Sequence, residues 1–340
     1  MISILRPLAI AAAIACSTPL ALAQAGPGPR AQPDATKAVA VAEAPSLLSN
    51  VWFIGASATA GFGVVTQVEN HAPSVLSVPL AASFAGATTT PVRVHDLGSP
   101  FFFMSPGRTG RTQVDRALDQ KASLIVGVDF LFWYVYGTES AGGERMLDES
   151  ARLRNLETGL SQLDRFDAAT PMVIGDLPDM HRAVGKMLSR AQMPKPETLT
   201  KANERIREWA SNRKRTAVVS LAEIVPALNG KQPILAGGIT FDPTKGALIQ
   251  SDELHPTFRG SLALGLRVAD AINASLAKEK PVAIAADEPT VESATKTAAA
   301  QIFAERAGSE PAAPTTKKTE TGDAKAPATP TVPQAPSPTK

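Results

Sequence analysis

The sequence predicts an α/β protein, a three-layer α/β/α sandwich built on a mainly parallel five-stranded sheet. Two observations lead there. Short apolar runs alternate with helical patterns over residues 45–280, and uninterrupted apolar strands separated by helices mark a parallel sheet covered on both faces. Residues able to do chemistry fall just after those runs, at the carboxyl ends of strands, where sheets of this kind bind ligands. No repeat of fixed period and no second domain is evident.

Val51-Trp52-Phe53-Ile54 is the first strand, buried and ending at Gly55. Val92–His95 is the second. Thr112–Gln120 reads as a helix with Val114, Ala117 and Leu118 on one face. It leads into a third strand, Ser123–Asp129, apolar from Leu124 until its aspartate. Glu144–Leu163 carries the stripe Leu147, Leu153, Leu156, Leu160 and Leu163, the spacing of an amphipathic helix. Pro171–Gly175 is a fourth strand, Leu199–Ser211 a helix and Thr216–Ser220 a fifth strand. Leu262–Leu276 closes the body, with Leu264, Val268 and Ile272 four apart on its apolar face.

Both ends differ from this body. Residues 1–23 read as an export signal: a basic start to Arg6, an apolar stretch from Leu8 to Ala15, and the small-x-small site Ala21-Leu22-Ala23. The apolar run is too short for a membrane span, so no transmembrane span remains after cleavage. Cys16, the only cysteine, is a rival lipid-acceptor site, and a single cysteine allows no internal disulfide. The expected location is the periplasm or the exterior of a bacterium. Residues 24–44 form a polar, Pro-containing linker, and residues 281–340 a Pro/Ala/Thr/Lys-rich tail. That tail is expected to be disordered because it has little apolar surface to bury. Val291–Arg306, with Ile302 and Phe303, is its one helical pattern.

Net charge is +2, and no basic stripe with interleaved aromatics appears, so nucleic acid is not an expected partner. Arg213-Lys214-Arg215 reads as a solvated loop. Of the four histidines, His71 and His95 stand alone, and His181 near Asp176 and Asp179 reads as a surface residue. The fourth, His255, lies in Asp252-Glu253-Leu254-His255-Pro256, just before the closing helix. A carboxylate three residues upstream can hold an imidazole's tautomer and stabilise its cation; a solvated loop histidine is the plainer reading. Metal binding is the other rival, but no further ligands occur at suitable spacing. Ser57, in Gly55-Ala56-Ser57-Ala58-Thr59 after the first strand, is equally open to two readings, nucleophile or helix cap. It is not the G-x-S-x-G elbow, since position 59 is threonine.

Taken together, Gly-x-Ser-x-Thr early, a glycine followed by helix and strand into Gly127-Val128-Asp129-Phe130, and Asp-x-x-His-Pro late resemble the SGNH/GDSL hydrolase family. The resemblance covers most of Val51 to Ala271 and implies that family's flavodoxin-like sandwich. It implies Ser57 as nucleophile, His255 as general base and Asp252 as its orienting carboxylate, with no metal and no cofactor. The implied reaction is hydrolysis of a small-molecule or glycan carboxylic ester through an acyl-serine. Its oxyanion donors would be the Ser57 amide, a glycine amide and an asparagine side chain. Gly107, in Ser105-Pro106-Gly107-Arg108-Thr109, matches the glycine, with Gly98 as the alternative.

Three positions depart from the family pattern. Ala56 replaces an aspartate outside the chemistry. Asp129 stands where the asparagine would be, and an ionised carboxylate there would repel an oxyanion. Losing such a donor costs on the order of a hundred- to a thousand-fold in rate. A protonated Asp129, held against Phe130, Phe132 and Trp133, would resolve the conflict by donating, in which case Asp129→Asn keeps or raises activity. The third departure is the aromatic run Phe130–Tyr136, which reads as acyl-pocket lining or as core. Two alternatives stay open: an O-acetyltransferase of the same type acting on extracellular polysaccharide, and a degenerate binding protein, which Asp129 favours. Oligomeric state is not legible.

Overall fold

A computed structural model describes residues 46–69, 73–138, 148–229, 231–278 and 280–309. The expected leader, linker, Cys16 and His71 therefore lie outside the described residues, as do residues 310–340. The first strand, β1 (Val51–Phe53), is buried on both faces. A small hairpin follows, β2 (Val65–Gln67) against β3 (Val75–Ser77). Helix α1 (Leu80–Ala87) then leads to β4 (Val94–Asp96), and α2 (Pro106–Asp119) to β5 (Leu124–Gly127). The short α3 (Phe132–Val135) and the long α4 (Glu149–Leu163) precede β6 (Met172–Gly175). Helix α5 (Pro196–Ser211) precedes β7 (Thr216–Val219). After α6 (Leu221–Asn229) come the hairpin strands β8 (Ile234–Ala236) and β9 (Ile239–Phe241), then α7 (Phe258–Ser275) and α8 (Glu288–Ser309).

β4-β1-β5-β6-β7 form one sheet, and every pairing in it is parallel. The five-stranded, doubly wound α/β class predicted from sequence is the class observed. Alternation along the strands sorts the core into two layers. Val51, Phe53, Leu124, Val126, Val173 and Ala217 belong to the cluster that includes α1, α7 and α8. Trp52, Ile54, Ile125, Met172 and Ile174 belong to the cluster built with α2, α4 and α5. The strand order reverses at β1, because the chain first steps outward to β4 and then back across to β5. In sheets of this type such a switch opens a crevice beyond the strand ends. Phe53 pairs with both Asp96 and Val126, so the loops after β1, β4 and β5 emerge side by side there.

Two differences from the sequence reading have clear causes. Helix α1 went unanticipated because seven of its eight residues are buried, and a helix enclosed on most sides shows no amphipathic period. Gly86 meets Thr295 of α8, and Gly265 of α7 meets the Ser83 backbone; an added Cβ would stand 2.2 Å and 2.7 Å from those atoms. The second difference corrects the domain boundary at 280. Residues 282–285 bond back to the body: the Val282 amide donates to Asn273 Oδ1 at 2.7 Å, the Thr89 amide to the Ala283 carbonyl at 2.9 Å, and the Ala285 amide to the Ala87 carbonyl at 3.0 Å. Helix α8 then buries Val291, Ala298, Ala299 and Ile302 in the α1/α7 layer. Small residues sufficed here, because alanine and threonine let two helices approach closely where bulky side chains would hold them apart. By composition these residues belong to the Pro/Ala/Thr/Lys-rich tail, in which Val291–Arg306 is the one helical pattern.

Candidate active site

The nucleophile turn begins where β1 stops. Gly55 has φ +153°, and a Cβ at this position would lie 2.1 Å from Asp129 Oδ1. Its missing side chain therefore admits the Asp129 carboxylate to the turn. Asp129 Oδ1 accepts from the Ala56 amide at 2.9 Å and the Thr59 hydroxyl at 2.6 Å; Oδ2 accepts from the Ala58 amide at 2.9 Å and the Thr59 amide at 3.1 Å. The Ser57 amide is the one in residues 56–59 that Asp129 does not take. Gln113 secures the other side of the turn. Its Oε1 accepts from the Gly55 amide at 2.9 Å, and its Nε2 donates to the Gly55 and Leu97 carbonyls at 2.9 and 2.6 Å. Sequence reading passed over Gln113, although a glutamine beside Val114 on an apolar helix face is the kind of signal that marks a buried polar anchor.

The histidine comes from the loop ahead of α7. Its start is fixed by the Thr257 hydroxyl, which accepts from the Gly260 amide at 3.1 Å. Gly260 has no room for a side chain, since a Cβ would fall 1.9 Å from the Leu248 carbonyl oxygen. Gln250 ties this loop to the nucleophile turn, its Nε2 donating to the Phe62 carbonyl at 2.9 Å and to the Pro256 carbonyl at 2.8 Å. Between Asp252 and Leu254 the chain passes through a left-handed residue, Glu253, with φ +59°. Arg182 and Lys186 pair with the Glu253 side chain and hold that unfavourable turn in place. It lets Asp252 Oδ1 accept from the Leu254 and His255 amides at 2.9 and 3.0 Å, leaving Oδ2 for the imidazole.

Ser57, His255 and Asp252, 198 residues apart at the extremes, meet in one relay. His255 Nε2 lies 2.8 Å from Ser57 Oγ, and Nδ1 lies 2.8 Å from Asp252 Oδ2. His255 is buried, and the Phe62 ring covers its face at 4.7 Å between centroids. Burial pushes the Asp252 carboxyl up, but the amide and imidazole hydrogen bonds outweigh it and hold the group below its ordinary value.

The expected oxyanion partners fare differently. Asp129 corrects the sequence reading: its four lone-pair sites are all filled by donors from the nucleophile turn. It is an acceptor that braces the turn, with no proton directed at a substrate oxygen. Gly107 sits in the first turn of α2 and lines neither of the cavities that reach Ser57. Gly98 packs against the nucleophile turn, where a Cβ would lie 2.5 Å from the Ala60 nitrogen, and its amide donates to Asp96 Oδ1 at 2.8 Å. Of the aromatic run, Phe130, Tyr134 and Tyr136 are fully buried core, while Phe132 and Trp133 line a cavity at Ser57. His181 is an exposed loop residue beside Asp179, and His95 stacks on Trp52 away from the relay. Arg213 is less free than expected, lying over the Trp209 ring and pairing with Asp164.

Two cavities meet at the relay, sharing Ser57, Trp133, Leu254 and His255. One, of about 100 Å³, runs inward between the sheet, α6 and α7. The other, of about 290 Å³, is an outer cleft rimmed by Phe62, Phe101, Phe103 and Met187. Among the described residues no group of three metal-ligating side chains is placed to hold an ion, and no helix is long and apolar enough to cross a membrane.

No protein-family model matches the chain. No curated protein matches it either. Among solved structures, it is similar to a gut microbial diltiazem-metabolizing enzyme, BT4096, at 14% identity and a TM-score of 0.41, over 67% of this chain and 47% of that one. The chain thus spans about half the length of that protein. It is also similar to TesA, at 14% identity and a TM-score of 0.38, over 66% of this chain and 99% of that one. Likeness at this level leaves the functional reading to the site's own geometry.

Proposed function

We propose that this protein is an exported serine hydrolase of SGNH type that cleaves carboxylic esters. The observation that carries the reading is the Ser57–His255–Asp252 relay, with both of its hydrogen bonds at 2.8 Å. Ser57 Oγ attacks the ester carbonyl carbon as its proton passes to His255 Nε2; the imidazolium is stabilised through Nδ1–H to Asp252. The uncommitted Ser57 amide faces the developing oxyanion. Collapse of the tetrahedral intermediate breaks the C–O bond, and His255 returns the proton to the departing alcohol. Water, deprotonated by His255, then attacks the acyl-serine and releases the acid.

The bracing role of Asp129 removes the main argument for a degenerate binding protein. Labelling by a fluorophosphonate probe tests the reading directly. The wild type should label, and Ser57→Ala should neither label nor turn over p-nitrophenyl esters. A well-folded wild type that resists the probe would overturn it. Export rests on the residue 1–23 leader; N-terminal sequencing of secreted protein should begin at Gln24, whereas a lipid-modified start at Cys16 would support the rival anchor.

A further inference from the structure

The two cavities at Ser57 differ in a way that bears on substrate. Every residue lining the inner one is buried or half-buried, and the charged side chains among its walls are Asp129, at the nucleophile turn, and Arg267. Arg267 lies 3.8 Å from Asp270, and its Nε is buried with no hydrogen-bond partner among the described residues, so one cationic group stands in the channel wall. Its remaining walls are aliphatic and aromatic, with Val128, Ile224, Leu228, Ile234, Ile249 and Leu264 supplied by five separate segments. The outer cleft is instead rimmed by exposed side chains: Phe62 is 42%, Phe101 66%, Phe103 50% and Met187 43% exposed.

Hydrolysis through an acyl-serine gives the two halves of an ester opposite requirements. The acyl half stays attached to Ser57 between the two steps. The alcohol half must depart, and water must take its place beside His255. A channel walled by buried and half-buried side chains suits the part that stays, and a cleft rimmed by exposed ones suits the part that is exchanged. A channel with largely apolar walls also gains affinity from a ligand that buries methylenes in it, at about a fourfold gain for each.

We infer that the inner channel is an acyl-chain subsite, and that the preferred substrates are esters of acyl groups longer than acetyl, with the alcohol lying in the Phe62/Phe101/Phe103 cleft. This rests on the serine-hydrolase reading and deepens it. It also disfavours acetyl transfer, since an acetyl group would leave the channel empty.

The test is a chain-length profile of the full-length protein on p-nitrophenyl acetate, butyrate, hexanoate and octanoate below their aggregation limits. Hexanoate should exceed acetate in kcat/KM by about tenfold or more. Leu228→Trp, which fills the channel, should cut the hexanoate-to-acetate ratio at least about tenfold; Leu264→Ala, which widens it, should move the optimum to longer chains. Those opposed shifts do not arise from general loss of folding. A wild type that labels with fluorophosphonate but prefers acetate would overturn the inference while leaving the hydrolase reading intact, as would variants whose profiles match the wild type. Absence of both labelling and turnover would overturn the hydrolase reading, and the inference with it.

Discussion

Asp129 illustrates how one carboxylate can set the shape of a nucleophile without touching substrate. It gathers the amides of Ala56, Ala58 and Thr59 and the Thr59 hydroxyl, and omits the Ser57 amide. An asparagine of the same size would direct an NH2 group at amides that are themselves donors. Asp129→Asn is therefore expected to lower kcat by about a hundredfold and stability by about 2 kcal/mol, read by ester turnover and by thermal melting. Unchanged activity in that variant would return Asp129 to the donor role suggested by motif position. Gly55→Ala should be at least as damaging, because its Cβ would occupy the carboxylate's place, 2.1 Å from Oδ1; loss of turnover with retained helical circular dichroism is the expected result. Motif spacing could identify position 129 as important, yet its direction of hydrogen bonding depends on where three backbone amides point, and no spacing carries that.

At the scale of elements, the site depends on how β4 and α8 are joined. Arg306, near the end of α8, pairs with Asp96 at the end of β4. Two residues on, Gly98 packs against the nucleophile turn. Burial pushes the Asp96 carboxyl up to about 6, with the Arg306 guanidinium and the Gly98 amide opposing the rise. A carboxyl whose folded pKa lies above its unfolded value favours the fold most at pH below about 4 and loses that contribution as pH rises through about 6. Arg306 offsets the loss at the alkaline end. Arg306→Ala should therefore destabilise the protein by about 1–2 kcal/mol more at pH 8 than at pH 5, measured by urea unfolding at both values. An equal loss at the two pH values would show that the pair contributes packing alone. The loop of His255 is organised similarly, its left-handed Glu253 anchored by Arg182 and Lys186 from the segment after β6.

For the molecule as a whole, α8 belongs to the folded body. Ending the chain at residue 287 would uncover the α1/α7 surface that Val291, Thr295, Ala298, Ala299 and Ile302 now fill. The melting temperature should fall by about 10 °C or more, and a melt unchanged by that truncation would return α8 to the status of an appended tail. The sequence by itself determined the sheet, its five strands and the chemical identity of Ser57, Asp252 and His255, because strand burial and residue type are local properties that a period or a spacing records. Tertiary structure alone decided the rest. Gln113 and Gln250 became braces of the site, and Asp129 became an acceptor. A helix of small residues became core, and two cavities, one with buried walls and one with an exposed rim, converged on one serine. Each of these depends on distances between segments far apart in the chain, which only the packing of the layers brings together.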